Sequence, residues 1–235
     1  MHIVLAQEVS FPTSPFVPIA VGFFGLGTGY LIYGPQELFR APGRSRPVDL
    51  ITGIWGIWMP GFMQFVTGVI LFVGLAWLHS FRDPPLYMAA LAFTAYGVHW
   101  WAIGMGRAMG GDPRPNAFMS VAFTMISALG IVVFFLAHDA PVAGLFIGLT
   151  CVYVADFFAS LYAAPATGSP EPAGHPVAAS DRGPGLAPGR TSGRRNPGVL
   201  GERALGIFHL GTGMWLMYLT WATVLNIANG KHLPL

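Results

Sequence analysis

Residues 86–105 read LYMAALAFTAYGVHWWAIGM, twenty positions without one Asp, Glu, Lys or Arg. At about 1.5 Å per residue, a helix of this length spans about 30 Å, the thickness of a bilayer's hydrocarbon core. Arg82-Asp83-Pro84-Pro85 precedes the run and Gly110 to Pro115 follows it, both turn or cap compositions. The stretch therefore predicts a membrane-spanning helix. The whole chain agrees: of 235 residues, 54% are hydrophobic and only 9% charged, against about 25% in soluble domains. So little polar surface excludes a soluble enzyme of this size. A net charge of +2, with no basic helix or aromatic RNA-binding pattern, excludes a nucleic-acid-binding role.

Working outward, runs of spanning length and apolarity fall at 16–33, 50–78, 86–105, 117–137, 140–163 and 204–226. They predict an all-α integral membrane protein, a bundle of six transmembrane helices. Breaks are read at Gly34-Pro35 to Pro47 and at His138-Asp139-Ala140-Pro141 as well as the two around the third run. Pro60 interrupts the second run and predicts a kink, since proline withholds one helical hydrogen bond. The chain divides into an N-terminal segment 1–15, helices one to five over 16–163, a loop over 164–203, and helix six with its tail over 204–235. From Pro165 to Leu200, seven of 36 residues are Pro and seven Gly, the composition of a disordered tether.

Small-xxx-small pairs, Gly25/Gly29 and Gly144/Gly148, allow close helix packing within a chain or between protomers. The single cysteine, Cys151, lies in an apolar run and forms no intrachain disulfide. No signal peptide is expected, because His2 is the sole early cation and Pro12, Pro15 and Pro18 break the apolar stretch after it. If side A is the side of the N-terminus, it holds two basic residues, Arg82 and Lys231. Side B holds ten: Arg40, Arg44, Arg46, Arg107, Arg114, Arg182, Arg190, Arg194, Arg195 and Arg203. The positive-inside rule then puts side B in the cytoplasm and both termini outside a cell, or inner, membrane.

Ala92-Phe93-Thr94-Ala95-Tyr96-Gly97, followed by Trp100, resembles a signature of the acetate uptake (succinate–acetate permease) transporter family. Other pieces match in order: Pro18, Gly22 and Phe24; Gly53-Ile54-Trp55, Gly61, Gln64 and Gly68; Leu149-Thr150; Gly206, Gly213, Tyr218-Leu219 and Val224-Leu225-Asn226. The resemblance implies a hexamer of six-helix protomers, each passing small monocarboxylates or succinate, with termini in the cytoplasm, opposite to the charge count. It also implies a narrow hydrophobic constriction at Phe24, Tyr96 and Leu149. Gln64, Thr94, Tyr153 and Asn226 are further pore-lining candidates. A dry constriction gates by dewetting, and the Tyr96 hydroxyl is expected to donate to a carboxylate. Ser14-Pro15-Phe16-Val17 departs from the family's Asn-Pro-Ala, and Ile70, Leu71 and Phe72 stand where a glutamate is usual.

Three ionisable residues, His99, Asp156 and His209, fall within predicted spans, where such groups face a cavity or a partner. Counted from the predicted side B ends they lie about 7–11 Å deep, in one layer, which predicts a His99–Asp156 pair acting as a proton relay. No metal or cofactor is expected. Two histidines on antiparallel helices leave haem ligation by His99 and His209 as an alternative. No nucleophile–base pair or phosphate loop is present, so no enzymatic activity is expected. The expected function is a channel or transporter for acetate-like monocarboxylates, passive or proton-coupled. The alternative is a structural subunit of a larger membrane complex.

Overall fold

A computed structural model describes residues 17–163, 197–230 and 232–233. They form six long helices: α1 (Ile19–Leu38), α2 (Arg46–Ala76), α3 (Pro85–Met109), α4 (Pro115–Leu136), α5 (Ala140–Leu161) and α6 (Pro197–Asn229). Their directions alternate, and each packs on the next in sequence while α6 packs back on α1, closing a ring. By length and composition α2, α4 and α5 are apolar enough to cross a membrane. Helices α1, α3 and α6 are as long but carry Glu37, His99, Arg107 and His209, side chains that turn inward.

Helix boundaries differ from the sequence reading where packing overrides local composition. The chain does not break at Gly34-Pro35; α1 continues to Leu38, and the Pro35 carbonyl accepts the Phe39 N–H at 2.9 Å. Proline removes one donor there, and the last turn is held by close contact with α6, where a Cβ on Gly206 would lie 2.6 Å from Leu38 N. Pro60 stands where the second span leaves regular α-helical geometry. It lies in a π-helical turn, Ile57–Phe62, and the Ile57 carbonyl accepts the Trp101 indole N–H at 3.1 Å.

Helix α6 begins at Pro197, seven residues before the predicted start and inside the segment read as loop. Its first glycines serve packing rather than flexibility: a Cβ on Gly198 would lie 2.6 Å from Tyr162 O, and one on Gly201 2.7 Å from Ala159 N. The remaining loop positions, 164–196, and the segment 1–15 fall outside the described residues. Both small-xxx-small pairs are used within the chain. Gly25 and Gly29 meet Met59, Met63 and Pro60 of α2, and Gly148 meets Thr212 of α6.

Candidate functional site

Between the helices, a cavity of about 920 Å³ opens on side A. Its mouth carries His79, Arg82, Asp83 and Asp139, and its walls are apolar: Phe23, Leu26, Phe93, Phe134, Leu145 and Phe146. Tyr96, Leu149 and Gln64 form the floor. These lie eleven, nine and twelve residues from the side A ends of their helices, hence about 14–18 Å deep, near mid-bilayer. Burial pushes the Asp139 carboxyl up from its ordinary value; the Val142 N–H bond it accepts at 3.0 Å opposes this and Asp83 adds to it.

The predicted constriction is partly reassembled. Tyr96 and Leu149, each 2% exposed, meet at the cavity, whereas Phe24 is 42% exposed and faces outward. Its neighbour Phe23, 4% exposed, lines the cavity instead. Consecutive helical residues point about 100° apart, so a one-residue shift in reading moves an aromatic from the path to the lipid face. Gln64 lines the cavity with no exposed surface, and neither amide atom has a partner among the described residues. Thr94 does not line the path: it donates to the Ala90 carbonyl at 2.8 Å and packs at Gly68 of α2. Asn226 is also elsewhere, bonded through its amide to both the N–H and carbonyl of Leu233 at 2.8 and 2.9 Å.

The Tyr96 proton is already committed. Ser127 donates its hydroxyl to the Phe123 carbonyl at 2.7 Å, so in the 2.9 Å contact between Tyr96 and Ser127 the tyrosine is the donor. It retains only acceptor capacity toward the cavity, contrary to the expected donor role.

Beneath the floor the polar groups separate into distinct sets. Asp156 accepts from Ser120 at 2.5 Å and Ser160 at 3.0 Å, while His99 Nδ1 bonds the Tyr153 hydroxyl at 3.1 Å. The predicted His99–Asp156 pair is thus not formed. Helix ends explain the difference: α3 runs ten residues past His99 to Met109 and α6 starts twelve residues before His209 at Pro197, against five residues from Asp156 to the end of α5 at Leu161. His209 pairs with Glu37, Nδ1 to Oε2 at 2.6 Å, and Tyr30 stacks on its ring at 4.4 Å. The indole of Trp100 lies 6.4 Å from the ring of each histidine.

Nearer side B, Gln36 donates to Thr52 Oγ1 at 2.9 Å and accepts from Arg107, whose Nε reaches Asp49 at 3.0 Å and whose guanidinium lies 4.7 Å above Tyr33. Gln36 and Glu37 were missed because the Gly34-Pro35 dipeptide reads as a break. The spacing Tyr30, Tyr33, Glu37, three then four residues, continues one helical face and is the signal for them.

The structure of the bacterial acetate channel SatP superposes on 92% of this chain and 95% of that one, with a TM-score of 0.64 and 14% identity. The chain has the fold of that channel. No sequence family and no curated protein matches it. The six-helix membrane bundle expected from the sequence is therefore the architecture observed, in a fold shared with SatP.

Proposed function

We propose that the chain is a channel for small monocarboxylates such as acetate, resident in a cell or inner membrane. The observation that carries this reading is the side A funnel, which narrows onto Tyr96 and Leu149 near mid-bilayer. The acetate channel whose fold it shares supports the substrate class. A short apolar ring of this kind holds back hydrated ions and opens by wetting, with no covalent chemistry. Below it, the His209–Glu37 pair, 7% and 13% exposed, stands in for the predicted His99–Asp156 relay as the group able to carry a proton.

The ten-to-two count of basic residues favours side B in the cytoplasm and the funnel opening outward. A C-terminal reporter active only in the cytoplasm would reverse this. The assembly is proposed as a ring of identical protomers, hexameric by resemblance, and a monomer in native mass spectrometry would overturn that. The deciding experiment is uptake of radiolabelled acetate into proteoliposomes, with and without an imposed proton gradient. Saturable, protein-dependent uptake is expected; uptake equal to that of protein-free vesicles would leave an accessory subunit as the reading. Stimulation by the gradient would add proton coupling to the passive channel.

A further inference from the structure

Gln64 is the one cavity-lining side chain whose two polar atoms, Nε2 and Oε1, are both buried and without partners among the described residues. A buried amide with neither hydrogen bond made is costly, and native proteins keep few such groups. Its surroundings decide what it suits. The Tyr96 hydroxyl at the same floor gives its proton to Ser127, and Thr223, also lining the cavity, donates to the Leu219 carbonyl at 2.7 Å. Leu149 completes the floor, and it and the adjoining wall residues Phe23 and Leu26 offer no side-chain polar atom. The floor thus has one free donor group, the amide NH₂, and acceptor oxygens on Gln64 and Tyr96, with no cation.

A carboxylate has only acceptors. It would find the NH₂ but would face the Gln64 carbonyl and the Tyr96 oxygen unfavourably, in apolar surroundings that penalise its charge. An undissociated carboxylic acid carries one donor and one acceptor side by side, matching a primary amide in a single two-bond ring. We propose that Gln64 makes the vestibule floor a binding site for the undissociated acid, its N–H donating to the acid carbonyl and its carbonyl accepting the acid O–H. This deepens, and rests on, the reading of the chain as a monocarboxylate channel: the species taken up at the floor is the neutral acid, and the amide is the residue that selects it.

Titrating groups of the protein also surround the path and would give a pH dependence of their own. They are His79, Arg82, Asp83 and Asp139 at the mouth, Tyr96 at the floor, and Tyr30, Tyr33, Glu37, Asp49, His99, Arg107, Tyr153, Asp156 and His209 beneath. The test therefore compares two substrates of nearly equal size and different acidity, acetate and fluoroacetate, each radiolabelled. Protein-mediated flux into proteoliposomes, less that of protein-free vesicles, is measured at equal internal and external pH in steps upward from the acid side.

The neutral-acid site predicts that flux at fixed total substrate falls about tenfold per pH unit above each substrate's own pKa. The fluoroacetate profile is displaced to lower pH by the difference between the two acidities. Gln64→Met, which keeps length and removes the unpartnered amide without leaving a cavity, should lower both fluxes about tenfold, the value of one lost pair of hydrogen bonds. Acetamide, an uncharged mimic able to form the same ring, should compete with acetate, and nitrate should not. Flux that is flat with pH, or a common midpoint for both substrates, overturns the neutral-acid site while leaving the channel standing. Absence of protein-mediated flux of either acid at every pH overturns the channel reading and this one with it.

Discussion

The two halves of the path are built from the same helices and treat polar groups in opposite ways. On side A, an apolar funnel ends at Gln64, whose amide is buried and unpartnered. On the side B half, Glu37 holds His209, and Gln36, Thr52, Arg107 and Asp49 form one connected set. A saturated network fixes helices against each other, whereas an unsaturated group at a cavity is held ready for something that comes and goes. Tyr30, His99 and Trp100, each with a polar atom unpartnered among the described residues, lie at the boundary between the two halves. On the proposed reading, the difference separates what holds the bundle together from what handles a substrate.

The largest effect should come from breaking the saturated half. Glu37→Ala leaves His209 buried without its partner and is expected to destabilise the protein by about 3 kcal/mol or more, read as a loss of thermal stability in detergent. Gln64→Met, in the other half, should leave thermal stability unchanged or raised and act on flux alone. Equal stability losses from both variants would erase the distinction.

Next in size, Tyr96→Ala should change flux or selectivity about tenfold by opening the floor, whereas Tyr162→Ala should have little effect. Tyr162 is 48% exposed at the end of α5, so equal effects from both would remove the case for a constriction.

A double variant sharpens the boundary. His99 and Asp156 have no hydrogen-bond partner in common, so the stability effects of His99→Phe and Asp156→Asn should add within about 0.5 kcal/mol. A larger coupling in a double-mutant cycle would restore the relay predicted from spacing.

Smallest is the effect at the mouth. Burial raises the Asp139 carboxyl above its ordinary value of 3.8, so the folded protein binds that proton more tightly than the unfolded chain does. Stability should therefore be highest below that value, decline as pH rises through the window up to the raised pKa, and then level off. Asp139→Asn keeps the helix cap and should remove this slope in a pH series of unfolding curves.

Much of the fold was legible because membrane insertion is decided by local quantities. A twenty-residue uncharged run such as 86–105 has few alternatives in a bilayer, where every backbone group must be satisfied within the helix. Tyr96, Leu149 and Gln64 could be nominated from residue order, and they do meet at one floor. Phe24 and Thr94 could not be judged, since choosing a face requires knowing which neighbour each helix packs against.

The sequence by itself determined the membrane environment, the six spans and their alternating directions, because hydrophobicity and length act residue by residue. Where the ends fell was decided by contacts: Gly206 against Leu38 carries α1 past Pro35, and Gly198 and Gly201 against α5 start α6 early. These few residues at the ends changed the site, since a longer α1 brings Glu37 to His209 and longer α3 and α6 lift His99 and His209 away from the level of Asp156. Pairing of buried polar groups depends on distances of a few ångströms between helices far apart in sequence. Only the packed bundle sets those distances, and so only the tertiary structure could show which polar atoms are taken and that the Gln64 amide is left free.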